Sequence, residues 1–592
     1  MLFSELSRYY DGLEGISSRL KMMELLTSML KGLGKEEIRA AVYITQGILL
    51  PPFEGLEIGI ADMLVEEAAA IATGFTKENV DREYKKTGDL GLAVRNLKAS
   101  TRLKGLTERH YSVMDVYERM VKIAKTSGQG SKDRKVNMLA DMIGAASPEE
   151  AKYIVRYPLG QLRTGAGDST IMEALSMLAT DGREFKTEIE RAYNICSDLG
   201  LVAEELASKG PKAIESFRVS LFRPVRPALA ERLATAEEIL ERMHGIAAVE
   251  QKYDGFRVQV HKDGDKVKLF SRRLENTTEM FPDLVDAVRG EIHTENVIFE
   301  GEALAFNEAT SEYLPFQETI QRKRKHDVKK MAEELPLHLF AFDLLYKDGR
   351  DWLGEPYEKR RAEIERMLKK GKLISPTTRI VTKSAKELDG FFASSVENGL
   401  EGVMAKDLQA PYIAGARKFS WIKLKRSYRA KLADSMDLVI LGYYLGKGSR
   451  AEFKFGGLLC GVYNAKRDMF ETISRIGTGF TELQMKELRE LLNKAKVPHR
   501  PARVDSVIEP DFWVDPKYIV TVNADEITRS PMHTCGRARD DEGIETGYAL
   551  RFPRLVGKDS AVRADKGPEE ATTTDEIISM FRLQKKVGIS GE

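Results

Sequence analysis

Lys252 stands in the run Glu250-Gln251-Lys252-Tyr253-Asp254-Gly255-Phe256-Arg257, a K-x-D-G-x-R pattern. Such a run can hold an amine that attacks a nucleotide phosphate. A free lysine has a pKa of roughly 10.4 and is a poor nucleophile at neutral pH, so burial or neighbouring cations must lower it. Gly255 lets the backbone come close to a ligand, and Arg257 is suited to clamping a phosphate. The plain alternative is a surface lysine before a turn. The remaining segments decide between the two.

Phe270-Ser271-Arg272-Arg273 ends a strand-like run in paired arginines. Ile298-Phe299-Glu300-Gly301-Glu302 ends an apolar run in two carboxylates, which suit a divalent cation or a pair of ribose hydroxyls. Leu339 to Tyr346 reads as a buried strand whose Phe342 can stack on a base. Glu401-Gly402-Val403-Met404-Ala405-Lys406 sets a further carboxylate at a strand edge. In Trp421-Ile422-Lys423-Leu424-Lys425 the alternation points Lys423 and Lys425 the same way. Two ammonium groups so placed would hold a phosphate and depress the pKa of Lys252. Each segment alone has an ordinary structural reading as core or as solvated face.

These residues need elements to position them. Phe256, Val258 and Val260 alternate with Arg257, Gln259 and His261, Asp263-Gly264 reads as a hairpin turn, and Lys266 to Phe270 as its return strand. Residues 1 to about 220 read as helical, with apolar residues at three and four spacing such as Leu20, Met23, Leu26, Met29 and Leu30. Phe222-Arg223-Pro224-Val225-Arg226-Pro227 is a proline-punctuated joint, and a second boundary falls at Ala430 to Asp434. Between them short strands mix with helices. Beyond them Leu438 to Gly442, Leu458 to Tyr463 and Phe470 to Ile476 predict a small barrel. Thr573-Thr574-Asp575-Glu576 is a capping box opening a last helix. The loops Ser127 to Lys132 and Arg163 to Gly167 precede helices and offer backbone amides to phosphates. Gln321 to Lys330 carries six lysines and arginines, which read first as a solvated helix face.

Taken in order, the segments from Lys252 to Lys425 resemble motifs I, Ia, III, IIIa, IV and V of the ATP-dependent DNA ligases, members of the covalent nucleotidyltransferase superfamily. The likeness is to the archaeal and eukaryotic replicative type. Leu550-Arg551-Phe552-Pro553-Arg554 followed by Arg563-Ala564-Asp565-Lys566 resembles motif VI. Motif III in many relatives reads D-G-E, where this chain has Glu300-Gly301-Glu302. Ser17 to Leu20, Gly55 to Gly59 and Glu150 to Arg156 resemble the helical DNA-binding domain of these ligases, so the likeness spans the chain.

The resemblance implies a multidomain protein: an all-α DNA-binding domain (1–220), an α+β nucleotidyltransferase (adenylation) domain (221–430), and a β-barrel OB-fold domain with a C-terminal helix (431–592). It implies an ATP-dependent DNA ligase, sealing nicks in duplex DNA during replication, repair and recombination. Lys252 would be the catalytic nucleophile forming lysyl-AMP. Glu250, Arg257, Arg272, Glu302, Phe342, Arg417, Lys423 and Lys425 would bind ATP, with Phe342 on adenine and Arg272 and Glu302 at the ribose. Glu302 and Glu401 would hold Mg²⁺ or Mn²⁺. Arg551, Arg554 and Lys566 of motif VI would orient the leaving pyrophosphate. Nicked double-stranded DNA is the implied partner of a monomer. A sliding clamp is a further possible partner, for which Leu103 to Tyr111 is the place to look, although it lacks the glutamine and paired aromatics of the usual motif.

Composition narrows the classes. The 592 residues allow about three domains. A net charge of +1 with 31% charged residues is a soluble profile, and any DNA surface must come from local patches. Cys196, Cys460 and Cys535 match no zinc spacing, which argues for an intracellular chain and against the NAD-dependent bacterial ligases with their four-cysteine zinc finger. The start has no signal-peptide pattern, and no apolar run reaches membrane-spanning length. Two rivals remain: an RNA ligase or capping guanylyltransferase, which shares K-x-D-G without the helical N-terminal region, and a non-catalytic DNA-binding protein with a degenerate site.

Overall fold

The computed structural model describes residues 1–100, 109–160, 162–307, 312–314, 319, 322, 328–368, 372–398, 400–425, 435–445, 455–524, 526–539, 545–551, 553–557 and 561–587. Most of the clamp-motif stretch and most of Gln321–Lys330 therefore lie outside the described residues.

From Phe3 to Glu215 the described residues form helices around one core, which runs from Phe3 to Ile214. Helix Arg19–Lys31 buries Met22, Met23, Leu26, Met29 and Leu30, while Leu20 lies exposed on its other side. Helix Pro148–Arg156 starts with the Ser147/Glu150 capping box and proline at its first position. It carries Arg156 into the core, where the guanidinium meets Asp89 at 2.7 Å. Helix Ser131–Ala145 begins at the Gly128–Gly130 loop, five residues earlier than the apolar pattern at Val136 suggests.

The hairpin forms where the alternation predicts it, Phe256–Asp263 pairing antiparallel with Lys266–Ser271. Val258 and Val260 enter the core, and the other face is buried as well. That polar face clasps the incoming joint. The Phe222 N–H donates to His261 Nδ1 at 2.9 Å, and Val225 and the Gln259 amide exchange two bonds of 2.8 and 2.9 Å. Arg257 donates to the Ala228 carbonyl at 2.8 Å. Burial pushes His261 down to about 3, so the ring stays neutral and its Nδ1 accepts.

The hairpin belongs to a seven-stranded sheet with Asn296–Asn307 and Leu337–Lys347 at its centre. Beside it lies a five-stranded sheet in the order Leu229–Arg232, Arg417–Lys425, Gly402–Lys406, Ala247–Lys252, Arg379–Thr382. Strands Met436–Tyr444, Gly457–Asn464 and Met469–Ile476 form a meander in the C-terminal β region, closed by helix Thr574–Val587. This region also touches the helical one. Arg163 caps the end of helix Glu482–Lys494 by donating to the Lys494 and Lys496 carbonyls, and Lys517 donates to the Gly160 carbonyl at 2.8 Å. All three cysteines are buried and unpaired by disulfides. Among the described residues no helix is long and apolar enough to cross a membrane.

Candidate active site

Lys252 is the last residue of its strand, and strand register builds the site around it. Gly402 pairs with Lys252 on one side and with Lys425 on the other. Glu401, one residue before Gly402, therefore emerges between the two lysines. Its carboxylate holds Lys252 Nζ through one oxygen and Lys425 Nζ through the other. Gly402 has φ +146, and a Cβ there would collide with the Leu424 carbonyl, so this close three-strand approach requires glycine. Ile422 and Leu424 point into the core beneath while Lys423 and Lys425 face the cleft.

Electrostatics follow from this grouping. Burial alone would push Lys252 down, but Glu401, with Glu302 behind it, holds it above the usual lysine range. The expectation that Lys423 and Lys425 depress Lys252 is thus corrected for the free site: the carboxylates win. Burial raises Glu302 to about 7 against the pull of Lys252 and Arg257. Burial would also raise Glu401, yet Lys252 and Lys425 hold it well below the usual carboxylate range. Lys423 is brought down to about 7, by burial first, over the opposing pull of Glu576.

Several predicted ligand residues have their side chains occupied within the protein. Arg257 grips Glu300 with two bonds of 3.1 and 2.6 Å and reaches Tyr412. Glu300 itself is wholly buried. The Glu250 carboxylate is likewise partnered within the protein: it takes Arg361 at 2.9 Å, Lys406 at 2.9 Å and the Tyr357 hydroxyl. Gly255 also has a different reason, because a Cβ there would strike the Ala303 carbonyl of the adjoining strand. Phe342 is nearly buried, edge-on to Trp421 at 5.8 Å, with Arg257 and Lys406 over its ring.

The C-terminal β region reaches this cleft. Arg272 pairs with Glu570 at 2.9 Å, and Arg417 with Glu576 at 2.8 Å. Glu576 is at once the capping-box carboxylate of the last helix, accepting from the Thr573 N–H at 2.8 Å. Lys566 is ion-paired with Asp437, and Arg563 with Asp565 at 2.6 Å. The charge of Lys566 bears on Lys423 and Lys425, and that of Arg563 on Glu401. Arg551 ends strand Glu545–Arg551 and Arg554 begins the short strand Arg554–Leu555, both exposed. The sequence motifs include Arg563 without marking a role for it, and they do not reach Asp437, Arg361 or Tyr357. An arginine three residues before Lys566 was the available signal for Arg563. Nothing local marks the others, since their partners are distant in sequence.

Three family profiles cover most of the chain: "DNA ligase N terminus" over residues 2–176, "ATP dependent DNA ligase domain" over 227–425, and "ATP dependent DNA ligase C terminal region" over 451–566. A "Probable DNA ligase" of Dictyoglomus thermophilum is 49% identical over 587 residues, covering 99% of this chain and 98% of its own. The chain belongs to the ATP-dependent DNA ligases. DNA ligases of Saccharolobus solfataricus and Sulfolobus acidocaldarius are 41% and 40% identical, the former covering 99% of this chain and 98% of its own, the latter 99% of each. The protein is an ATP-dependent DNA ligase built of a helical N-terminal region, a mixed α/β adenylation region and a β-rich C-terminal region with a final helix.

Glu302 gives this ligase a pH signature. Its carboxyl is raised from near 4.5 to about 7, so the folded state holds a proton that the unfolded chain releases. Its contribution to stability is full below pH 4.5, falls as pH rises to about 7, and stays lost above that. Glu302→Gln removes this loss. The melting difference between the variant and the native enzyme should widen in the variant's favour from pH 4.5 to 7 and then level off. A difference flat across that window would show that Glu302 titrates normally.

Proposed function

We propose that this ligase seals nicks in duplex DNA through lysyl-AMP and DNA-adenylate intermediates, with Lys252 as nucleophile. The observation carrying this is the Lys252–Glu401–Lys425 group, opening onto a cleft shared with Glu302 and Lys423. The Lys252 ammonium first loses its proton to water, leaving its ion pair with Glu401. The amine then attacks the α-phosphorus of ATP, an N–P bond forms, and the bond to the β-phosphate oxygen breaks, releasing pyrophosphate. Phe342 lies beside the base, and Arg272 with Glu302 faces the ribose. Arg417, Lys423 and Lys425 exchange their carboxylate partners for phosphates, which offer the same acceptor chemistry. AMP next passes to the 5′-phosphate of the nick, and the 3′-hydroxyl displaces it. Arg257 and Glu250 support this site from beneath, through Glu300 and through Lys406 and Arg361.

Among the described residues no cluster of three or more metal-ligating side chains exists. Glu401 and Glu302 supply two carboxylates, which fits Mg²⁺ or Mn²⁺ completed by water and substrate phosphates. Such an ion would neutralise charge on the reacting phosphate.

Incubation with Mg²⁺ and α-labelled ATP should label the denatured protein, and nicked DNA should chase the label. Protein first stripped with pyrophosphate that stays unlabelled with ATP, ADP, GTP and NAD would defeat the reading. Nicked RNA that takes the label in place of nicked DNA would favour the RNA-ligase rival. Binding to a nick should weaken steeply with salt and ignore sequence, because backbone phosphates are the targets. Salt-independent affinity would contradict that.

A further inference from the structure

We propose that Asp437 is a positioning residue for the first step, holding the motif VI cations Arg563 and Lys566 in the orientation that meets the leaving pyrophosphate. This rests on the reading of motif VI as serving lysyl-AMP formation. Asp437 is the second residue of strand Met436–Tyr444, where the C-terminal β region begins, and its side chain is 14% exposed. One carboxylate oxygen receives Lys566 Nζ. The other accepts from the Thr521 hydroxyl at 2.9 Å and faces an Arg563 nitrogen at 3.6 Å. The Asp437 backbone bonds Thr572 twice, its N–H donating to the hydroxyl at 3.0 Å and its carbonyl accepting at 2.8 Å. A single residue thereby ties the first strand, the strand Ile519–Asn523, motif VI and the segment entering the last helix.

The same segment, continuing past Lys566, lays Glu570 on Arg272 and Glu576 on Arg417. Asp437 therefore anchors motif VI on the side of the C-terminal β region that is docked against the nucleotide cleft. Lysine and arginine side chains carry large rotamer entropy, so an unanchored pair would have to be ordered at the moment of reaction. Two carboxylates, Asp437 and Asp565, fix two cations beforehand. Asp437 touches no reacting atom and acts only through Lys566 and Arg563.

Asp437→Asn keeps the size and removes the charge. Single-turnover adenylation with α-labelled ATP should slow about ten- to a hundredfold, the loss expected for one charge-assisted hydrogen bond. The loss should fall on the rate at saturating ATP, with the half-saturating ATP concentration little changed. Sealing of a nick already carrying 5′-AMP bypasses that step and should proceed at the native rate. Lys566→Ala should slow adenylation at least as much, and the double variant less than the product of the two single losses, the remainder passing through Arg563. Equal slowing of both reactions by Asp437→Asn would make Asp437 a structural tie and overturn the proposal, as would native adenylation in that variant. Native adenylation in Lys566→Ala would remove the reading of motif VI itself, and the proposal with it.

Discussion

Lys252→Ala forms no covalent nucleotide and still binds nicked duplex. No described side chain other than Lys252 brings an amine to the meeting point of Glu401 and Glu302 without being drawn into another role. Lys425 shares Glu401, and Lys423 pairs with Glu576 at 3.6 Å, but both project from Arg417–Lys425, which Gly402–Lys406 separates from the strand of Lys252. The fold tolerates the change, since Glu401 keeps Lys425. The adenylation rate should fall on the order of a thousandfold or more, as for loss of an activated nucleophile. Lys252→Arg separates charge from nucleophilicity. It preserves the cation facing Glu401, yet a guanidinium cannot be deprotonated in a protein. Both variants should stay unlabelled with α-labelled ATP, while gel shift on nicked DNA remains near native. Label on either protein would move the nucleophile elsewhere.

Glu250→Ala lowers the stability of the adenylation region by about 3–5 kcal/mol, the cost of leaving buried cations without their anion. The Glu250 carboxylate is 2% exposed as a residue and joins Lys406 and Arg361, which are buried with it. Its removal leaves the buried Lys406 without a carboxylate, Arg361 with Glu365 alone, and the Tyr357 hydroxyl without its acceptor. Thermal unfolding followed alongside the ATP dependence of adenylation tells two roles apart. A fall in melting temperature is the expected result. An unchanged melt with a raised Michaelis constant for ATP would instead place the carboxylate on the base.

The sequence made Lys252, the carboxylates and the paired lysines legible because each sits in a short ordered motif. Register explains why such motifs carry so much: Lys252, Gly402 and Lys425 are neighbours across three strands, so three separate runs converge on one point. What stayed hidden is the second layer. Arg257 reads as a phosphate clamp, and its pairing with Glu300, forty-three positions away, has no local mark. Glu250 reads as a base contact, and nothing local marks its partners Tyr357, Arg361 and Lys406. Gly255 reads as making room for a ligand, whereas the neighbouring strand fills that room. Local patterns give the type and face of a residue; which distant side chain saturates it depends on tertiary packing.

The clasp between the hairpin and residues 222–228 bears on how the molecule is divided. By bonding, the adenylation unit begins at Phe222, ahead of the family profile's start at Pro227. A fragment cut at Pro227 would leave His261 and Gln259, buried neutral groups that solvent does not reach in the whole chain, without their backbone partners. Evolution has in effect spliced the joint into the catalytic sheet. The joint thus belongs to the bonding of the catalytic sheet, and a cut there uncovers the sheet's buried polar face.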